Sequence, residues 1–553
     1  MKDLNERMFF ILPGITPSQS AGPATMGSKA YGLTRLAKLG LPVPPAFVLG
    51  TALCREYFEN GARLPAQTRD LLAAGLARLE EATGRKFGGP RHPLLVSVRS
   101  GAPVSMPGMM DTLLNVGLSE SNIGGFLRST GNPRLVRDCY RRLIRDFMVV
   151  SRGASAGAFD AIVSRECMQS GLTSARELDS AALGRIGQES LEIAVAVAGK
   201  LGGPMGQPGG PMGQPFPQAP LEQIEAAVEA VFRSWAGEKA RTYRRLNHIS
   251  EEMGTAVTVQ AMVYGNGGAL SGSGVGFTRD PSTGEDHLYL DFLFNSQGED
   301  VVSGRHTVED TERLPERLPR VAAELQRIKS VLEREFRDVQ DFELTVENGR
   351  LYLLQTRNAK RTPWAALRIA VDMVRQELIT PADAVDRLRE LQPDSLERVS
   401  LGKGVAAQPL ASAVAAGLGV ATGLAVFDTR RAAEWAAQGR PVILLRPDIF
   451  TDDIEGIAAA AGVLTASGGR TSHAAVVARQ LGKVCLVGCT ALQLRPDNGG
   501  GDIGGTRIAE GDEMTLDGNT GHVYKDRLEV IRERPETELA QLERWRAAVA
   551  AGR

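Results

Sequence analysis

The chain has 553 residues, and 43% of them are hydrophobic, which is enough to build the cores of three or more domains. Lys and Arg (64) almost balance Asp and Glu (65), so a global charge suited to nucleic acid or an anionic membrane is excluded and any anion site must be local. The N-terminal apolar run Met8–Leu12 is too short for a signal peptide or a membrane span, and five cysteines without zinc-site spacing predict reduced core thiols, so we expect a cytoplasmic protein.

The first part of the chain has the pattern of an α/β domain. Up to about residue 195, short apolar runs such as Ala46–Gly50 and Leu94–Arg99 alternate with helical segments such as Arg134–Val150. Residues 202–217 then carry the unit Gly-Gly-Pro-Met-Gly-Gln-Pro twice. This composition excludes a helix or a central strand, so we expect a flexible surface loop inserted within a domain.

The second part of the chain changes pattern twice. Strand-like segments come first, at Thr255–Val263, Gly274–Thr278, Leu288–Phe294 and residues 341–357. The sequence then turns helical and leads to a Gly/Ala-rich block near residue 400. We therefore predict a first domain over residues 1–362, a helical linker and hinge over 363–400, a compact domain over 401–525 and a C-terminal helix over 526–553.

The most specific motif of the compact domain is Gly468-Gly469-Arg470-Thr471-Ser472-His473, which runs into a helical segment. The glycines allow the backbone to approach a ligand closely, and Thr471 or Ser472 can cap the helix whose first turn carries the imidazole. A phosphoryl group on His473 would lie in the positive field of a helix N-terminus, and neutral imidazole is a competent phosphoryl acceptor near pH 7. Taken alone, the motif also fits a buried histidine that caps its own helix.

Two strand-like runs near residue 350 carry paired polar side chains. Asp341 and Glu343 are two residues apart and share one strand face, as do Gln355 and Arg357 on the return strand. On a common face they would supply two carboxylates for Mg²⁺, an amide, and a guanidinium for phosphate oxygens. The alternative is an exposed hairpin whose charges face solvent.

The turn between these runs decides whether the two pairs share a face. A two-residue Asn348-Gly349 turn sends the pairs to opposite faces, whereas a three-residue loop over 347–349 puts them on one face. Because ligand binding requires one face, we predict the three-residue loop with Gly349 in a left-handed conformation.

Two basic residues upstream are further candidates for phosphate contacts. Lys29 lies between Gly27 and Gly32 ahead of an amphipathic helix, although this is not the P-loop pattern. Arg99 ends an apolar strand, where a charge suggests either ligand contact or a structural salt bridge.

Further charged residues lie later in the first domain. Arg141 and Arg142 are adjacent on a predicted helix, where their side chains point about 100° apart, so we expect only one of them to face a site. Glu299 and Asp300 follow a strand-like run and supply two more carboxylates.

Six segments across most of residues 9–525 together resemble the pyruvate, phosphate dikinase family in sequence and order. They read LLVSVRSGAPVSMPGMMDTLLN, GTAVTVQAMVYGN, SGSGVGFTRDPSTGE, NSQGEDVV, LYLLQTRNAKRT and GGRTSHAAVVAR. The resemblance implies an α/β and α+β multidomain protein, with an ATP-grasp nucleotide-binding domain over 1–362 that contains the 202–217 insertion. It also implies a swivelling phosphohistidine domain of the β/β/α type over 401–525.

The resemblance also implies roles for individual residues. Residues that match those holding ATP are Lys29, Arg99, Asp341, Glu343, Gln355 and Arg357, with Asp341 and Glu343 as ligands of the Mg²⁺ cofactor. Residues that match positions around the phosphates are Arg142, Asp291, Glu299 and Asp300. His473 matches the phosphorylated histidine, with Arg357 and Arg142 as its catalytic partners. Thr471 matches a threonine that is phosphorylated in plant members, although helix capping is the alternative role.

The sequence departs from the family pattern in three places. Arg470 stands where methionine is usual, and Asp291 stands where glutamate is usual. The family continues into a (β/α)₈ barrel that binds phosphoenolpyruvate and pyruvate, a fold of about 250 residues, and only about 30 residues follow Lys525. We therefore expect the third substrate site to be missing from this chain.

Three functions remain open from the sequence. The first is a dikinase reaction in which ATP and inorganic phosphate give AMP and pyrophosphate while His473 is phosphorylated, and pyruvate receives the group if a separate polypeptide supplies the barrel. The second is a histidine relay to another acceptor, as in rifamycin phosphotransferases or glucan, water dikinases. The third is a non-catalytic ATP-sensing or decoy partner of a full-length dikinase.

Overall fold

The computed structural model describes residues 7–12, 14, 20–104, 106, 110–172, 175–201, 215–302, 309–393, 396–402, 407–449, 453–468, 475, 477–478, 481–495 and 499–551. Most of the Gly/Pro-rich insertion, and the motif residues from Gly469 through His473, lie outside this set. The chain forms two compact units, an N-terminal unit of Met1–Gly267 with Leu351–Thr356, and a C-terminal unit of Gly268–Arg350 with Arg357–Arg553. In the described part of the chain, no helix is long and apolar enough to cross a membrane.

The N-terminal unit combines a mainly antiparallel sheet with many helices. Its helices are α1 (Pro23–Met26), α2 (Ser28–Lys38), α3 (Thr51–Glu59), α4 (Gln67–Thr83), α5 (Glu120–Thr130), α6 (Pro133–Arg152), α7 (Ala156–Gln169), α8 (Ser180–Leu201), α9 (Pro220–Trp235) and α10 (Glu238–Leu246). Its strands before the long hairpin are β1 (Met8–Ile11), β2 (Ala46–Leu49), β3 (Lys86–Phe87), β4 (Pro93–Leu94), β5 (Val96–Gly101), β6 (Thr112–Val116) and β7 (Ala256–Ala261).

The principal sheet of this unit has the strand order β1-β2-β7-β5-β6. β2 and β7 are buried at every residue, which explains the continuous apolar run of β2. The alternation of strands and helices predicted for this region is confirmed, and the core contains side chains from the sheet and from the helices that cover it. All five cysteines of the chain are buried free thiols, as predicted.

The C-terminal unit begins with two antiparallel strands, which are followed by three helices and the first strand of a long hairpin. Its first elements are β8 (Gly272–Phe277), β9 (Tyr289–Phe294), α11 (Gly298–Val302), α12 (Glu309–Arg317), α13 (Pro319–Phe336), β10 (Gln340–Glu347), α14 (Pro363–Arg375) and α15 (Pro381–Arg387). The return strand of the hairpin is β11 (Arg350–Asn358), whose segment Leu351–Thr356 belongs to the N-terminal unit. β8 lies between β9 and β10. Gly274 and Gly276 of β8 lie under the rings of Phe292 and Phe342, so aromatic side chains cover this face of the sheet. The opposite face carries buried apolar side chains such as Val275 and Phe277 together with polar residues of β9 and β10.

The rest of this unit is built on an eight-stranded mixed sheet with the order β13-β23-β22-β15-β16-β17-β18-β14. Its elements are β12 (Arg398–Leu401), β13 (Ala411–Ser412), β14 (Val414–Gly417), β15 (Val420–Val426), α16 (Thr429–Ala437), β16 (Val442–Arg446), α17 (Ile454–Ala459), β17 (Gly462–Thr465), β18 (Val484–Val487), β19 (Leu492–Leu494), β20 (Gly500–Ile503), β21 (Thr506–Ala509), β22 (Glu513–Asp517), β23 (His522–Lys525), β24 (Val530–Glu533) and α18 (Glu536–Ala551). The four strands β15 to β18 are parallel, with α16 after β15 and α17 after β16. The predicted α/β and α+β multidomain class is therefore confirmed.

The predicted three-residue loop at the hairpin is wrong. β10 ends at Glu347 and β11 begins at Arg350, so the loop has two residues, and both Asn348 (φ 50°) and Gly349 (φ 76°) are left-handed. Positive φ at both central positions defines a type I′ turn, whose twist matches that of the flanking strands. The preference of Asn-Gly for this turn type gives a two-residue loop, although we had inferred a three-residue loop from the requirement for ligand binding.

A shift in register farther along the hairpin nevertheless brings acidic and basic side chains together. The backbone N–H of Ala359 donates to the carbonyl of Val339 at 2.9 Å, and the Arg357 Nε lies 2.7 Å from Asp341 Oδ2. A two-residue turn places residue 347 opposite residue 350, and it would therefore place 341 opposite 356 and 339 opposite 358. The observed contacts of 341 and 339 are each shifted by one residue along β11. β11 therefore contains one extra residue, as in a β-bulge, and this residue restores a common face for Asp341 and Arg357.

We expect Gly349→Ala to lower the stability of the hairpin by about 1–2 kcal/mol, because a left-handed conformation is unfavourable for any residue with a Cβ atom. Among the described residues, no atom lies within 4 Å of the added carbon, so the effect should come from backbone strain alone. A lower midpoint of urea unfolding would be the expected result. The matched control is Gly157→Ala in helix α7, where the backbone is helical and alanine should maintain or raise the midpoint. Equal midpoints for Gly349→Ala and the wild type would contradict the strained turn.

Candidate functional site

In the N-terminal unit, helix α2 begins directly against the end of strand β5. Gly27 precedes the helix with φ 78°, and a Cβ atom there would lie 2.1 Å from the carbonyl oxygen of Gly101. The N–H of Ser28 donates to the Ala102 carbonyl at 3.0 Å. These contacts fix the first helical turn, which carries Lys29, beside the strand that carries Arg99.

Arg99 also joins this region to the segment Leu351–Thr356 of the same unit. Its Nη1 donates to the carbonyl of Leu354 at 3.1 Å, and Gln355 is the next residue. Gln355 is 4% exposed, and its Oε1 has no hydrogen-bond partner in the described part of the chain. The structure therefore brings Lys29, Arg99 and Gln355 into one region of the unit, with a buried amide oxygen that remains available to a ligand.

Arg142 lies on helix α6 of the N-terminal unit and contacts a buried carboxylate. Its Nε is 3.1 Å from Asp138 Oδ2, and Arg141 Nη2 lies 2.5 Å from the other carboxylate oxygen. Both arginines therefore contact this carboxylate, and the expectation that only one of them faces a ligand site stays a prediction. Positions i+3 and i+4 both flank position i on a helix, so both guanidinium groups reach Asp138.

In the C-terminal unit, three strands align acidic side chains on one sheet face. Glu343 of β10 and Asp291 of β9 both lie opposite Val275 of β8, one on each side. Directly opposite residues share a face, so the two carboxylates point to the same side, with their Cα atoms about 10 Å apart across two strand spacings. Asp341 is two residues from Glu343 and lies on this face as well.

Arg357 lies over this acidic face. Its Nε donates to Asp341 at 2.7 Å, and the guanidinium remains about one third exposed, with a side-chain exposure of 37%. Burial by itself would lower the pKa of Arg357, but the carboxylates of Asp341 and Glu343 together raise it. The arrangement is a fixed cation beside two acids, which suits a ligand that carries both phosphate oxygens and a metal ion.

The helix that carries Glu299 and Asp300 is tied to the same face. The Ser273 hydroxyl of β8 donates to the carbonyl of Ser296 at 2.9 Å, shortly before α11 begins. The side chain of Asp300 accepts from the N–H of Gln297 at 3.1 Å and so caps the start of the helix. Glu299 is exposed.

The donor set of this face fits a magnesium ion only in company with a phosphate ligand. No group of three or more His, Cys, Asp or Glu side chains in the described residues could hold a metal ion by itself. Mg²⁺ is commonly bound by one or two carboxylates together with substrate phosphates and water. Asp341 and Glu343 provide two carboxylates of this kind.

We expect Gly27→Ala to weaken nucleotide binding by about tenfold or more, because the added methyl group must displace the first turn of α2 from β5. Calorimetric titration with Mg·ATP would measure the affinity. Gly40→Ala is the matched control, because Gly40 follows the same helix with a similar φ of 69° but, in the part of the chain that the structure describes, no atom lies within 4 Å of the added carbon. An equal loss of affinity in both variants would show that backbone strain, and not displacement of Lys29, is responsible.

Two residues near Arg142 were not predicted from the sequence, and two predicted residues lie outside the described part of the chain. Asp138 contacts both Arg142 and Asn266, and the spacing of Asp138 from the two arginines was the signal that could have found it. His473 and Thr471 lie outside the described residues, so the geometry of the predicted phosphorylation site stays a prediction.

Comparison with known families found two matches, one with an early segment of the chain and one with a late segment. Residues 23–317 match the family described as "Pyruvate phosphate dikinase, AMP/ATP-binding domain", and residues 438–521, which include position 473, match "PEP-utilising enzyme, mobile domain". The chain belongs to the pyruvate, phosphate dikinase family. The first match places Lys29, Arg99, Arg142, Asp291, Glu299 and Asp300 within the nucleotide-binding domain of the family.

Relatives from distant organisms share the sequence over nearly its whole length. The chain is 40% identical to the pyruvate, phosphate dikinase of Clostridium symbiosum over 91% of its residues, and 38% identical to that of Rhizobium meliloti over 94%. It is 39% identical to the chloroplastic enzyme of Flaveria pringlei over 94% of its residues. The matches cover 56%, 58% and 53% of these relatives, so the chain spans little more than half of their length.

Proposed function

We propose that this chain catalyses the nucleotide half of a dikinase reaction, in which ATP and inorganic phosphate phosphorylate His473. The bond between the α- and β-phosphates of ATP breaks, the β-phosphoryl group forms a bond to an imidazole nitrogen, and AMP leaves. The bond between the β- and γ-phosphates also breaks, and the γ-phosphoryl group forms a bond to inorganic phosphate, which gives pyrophosphate and leaves the β-phosphoryl group on His473. Membership of the family and the retention of each predicted charged residue type support this reaction over a purely sensing role.

The observation that carries the proposal is the pairing of Arg357 with Asp341 on the sheet face shared with Glu343 and Asp291. Phosphoryl transfer needs positioning and charge neutralisation more than covalent participation by the protein. A guanidinium presents several N–H donors in a fixed plane, which suits phosphate oxygens. Arg357 would orient these oxygens, while Asp341 fixes its plane.

Each remaining predicted residue has a defined part in this proposal. Lys29 and Arg99 would neutralise the negative charge of the ATP phosphates. The amide oxygen of Gln355 would accept a hydrogen bond from the nucleotide. Asp341 and Glu343 would hold Mg²⁺, which supplies further neutralisation of phosphate charge when it is bound.

Arg142, Asp291, Glu299 and Asp300 would each have a part in handling the inorganic phosphate. Arg142 would contribute positive charge. The three carboxylates would contact phosphate through bound metal or water, since direct contact between two anions is unfavourable.

The position of label in ATP tests this proposal. With β-labelled ATP, Mg²⁺ and phosphate, wild-type protein should gain acid-labile, base-stable label, whereas γ-labelled ATP should label pyrophosphate and leave the protein unlabelled. Label from the γ-position on the protein would indicate an ordinary histidine kinase reaction. No label on the protein from either nucleotide, while ATP still binds, would contradict the proposed reaction.

We further propose that pyruvate is the final acceptor, as the names of the relatives indicate for those proteins. Labelled protein should transfer its phosphoryl group to pyruvate, giving labelled phosphoenolpyruvate and free histidine, when a pyruvate-binding barrel is supplied as a separate polypeptide. Rapid transfer to water or to a sugar polymer, with none to pyruvate in the presence of the barrel, would contradict this acceptor.

A further inference from the structure

Asp138 lies at the centre of a buried charged cluster in the N-terminal unit. Its side chain is 3% exposed, and both carboxylate oxygens have a positively charged neighbour. Oδ2 accepts from Arg142 Nε at 3.1 Å and from Asn266 Nδ2 at 2.9 Å, whereas Oδ1 lies 2.5 Å from Arg141 Nη2. A buried carboxylate is stable only with partners of this kind.

The cluster keeps Asp138 ionised. Burial by itself would raise the pKa of Asp138, but the guanidinium groups of Arg141, Arg142 and Arg134, with the hydrogen bond from Asn266, lower it far below its usual range. The carboxylate therefore stays charged at every pH at which the protein would work. It acts as a fixed acceptor and takes no part in proton transfer.

The arginines around Asp138 differ in their surroundings. Arg134 donates to the backbone carbonyls of Ala175, Arg176 and Leu178, which gives it a structural role. Arg141 has a side-chain exposure of 8%, and Arg142 has one of 15%. Arg142 is therefore the better placed of the pair to meet a ligand from solvent.

The contact with Asp138 uses the Nε edge of Arg142. Because a guanidinium is planar, a bond at Nε fixes both the plane of the group and the direction in which its two Nη atoms point. Asp138 is itself held from a second element, since Asn266 follows strand β7 and its neighbour Gly267 accepts a hydrogen bond from Asn132 at the start of α6. Asp138 thus contacts Arg142 and is itself held by Asn266, and these contacts together set the orientation of the Arg142 guanidinium.

We propose that Asp138 is a positioning residue that holds the Arg142 guanidinium in the orientation needed to contact phosphate, and that Asn266 fixes Asp138 in turn. The proposal rests on the proposed function, in which Arg142 contacts phosphate oxygens. Two guanidinium groups share one carboxylate in this cluster, so Arg141, Arg142 and Asp138 together retain a positive charge for an anionic ligand.

A double-mutant cycle of Asp138→Asn and Arg142→Gln tests this role in the full chain. The first readout is the rate of β-label incorporation as a function of phosphate concentration, and the second is calorimetric binding of Mg²⁺ with β,γ-imido-ATP. We expect Asp138→Asn to lower the rate by about 10- to 100-fold, as misorientation of one group does. Because it acts through Arg142, the double variant should be no worse than Arg142→Gln alone.

The controls separate positioning from stability. Asp160 pairs with Arg145, which lies on helix α6 like Arg142 but on its more exposed side. Asp160→Asn removes this carboxylate and should leave both the labelling rate and the nucleotide affinity unchanged. Multiplying effects in the double variant, or a wild-type rate and affinity in Asp138→Asn, would overturn the proposal. If Asp138→Asn does not fold, the same cycle with Asn266→Ala decides, with a smaller but equally non-additive loss expected.

Failure of the proposed function remains distinguishable from failure of this inference. If the wild type binds the nucleotide analogue but takes up no label, the proposed reaction is wrong. In that case, the positioning role is still supported if the effects of the two substitutions on nucleotide affinity are non-additive in the double variant. It is overturned if these effects are additive.

Discussion

Replacing His473 with alanine should abolish the uptake of label from β-labelled ATP. The expected loss is complete, because the variant has no imidazole to accept the phosphoryl group, and the neighbouring hydroxyl groups would require activation that imidazole does not need. Label that is stable in base and labile in acid would be measured on protein separated from nucleotide. ATP binding should persist in the variant, since the predicted nucleotide ligands lie elsewhere in the sequence.

His522→Gln is the matched control for this experiment. His522 lies on strand β23 of the same unit, is partly exposed and contacts Tyr524, so it tests whether any accessible histidine takes up label. We expect wild-type labelling in this variant. Equal labelling of His473→Ala and the wild type would contradict the assignment of the phosphorylated residue.

Replacing Asp341 with asparagine should lower the rate of histidine phosphorylation by at least about 100-fold. Asp341 has two proposed roles, because its carboxylate accepts a hydrogen bond from Arg357 Nε at 2.7 Å and would also bind Mg²⁺. Loss of the carboxylate removes one charge from the metal site and leaves Glu343 as a carboxylate that still acts on the partly buried guanidinium. The rate should remain low even at saturating Mg²⁺, because the orientation of Arg357 is not restored by the metal.

Glu343→Gln separates the two parts of this prediction. Glu343 influences Arg357 through its charge, and we expect its replacement chiefly to raise the Mg²⁺ concentration needed for half-maximal rate. Glu347→Gln, on the same strand next to the turn, should change neither the rate nor the Mg²⁺ dependence. A wild-type rate and Mg²⁺ dependence in Asp341→Asn would refute the role of the acidic face.

The hairpin shows where reasoning from the sequence succeeded and where it failed. Alternation along a strand correctly placed Asp341 and Glu343 on one face, because the side-chain period of a strand is fixed by backbone geometry. The turn was mispredicted because the need for a common face was given more weight than the preference of Asn348 and Gly349 for positive φ. The extra residue in β11 that reconciles the two has no composition signal, since it is set by packing around the strand.

Other features of the candidate site could not be obtained from the sequence for a different reason. The alignment of Asp291 and Glu343 opposite Val275 depends on the registers of three strands that are far apart in the chain, and no local pattern sets such registers. Asp138 was within reach, because its spacing from Arg141 and Arg142 places all three on one helical face. The contribution of Asn266 required the tertiary structure.

The measurement that tests the account most directly is the location of the phosphoryl group after reaction with ATP, Mg²⁺ and phosphate. Trypsin cleaves after Arg470 and Arg479, so the peptide of residues 471–479 contains His473 together with Thr471 and Ser472, and mass spectrometry under neutral conditions can distinguish the three. The account predicts one phosphoryl group on His473, and its loss after mild acid treatment. A phosphoryl group on Thr471 or Ser472, or an unmodified peptide from protein that has consumed ATP, would contradict it.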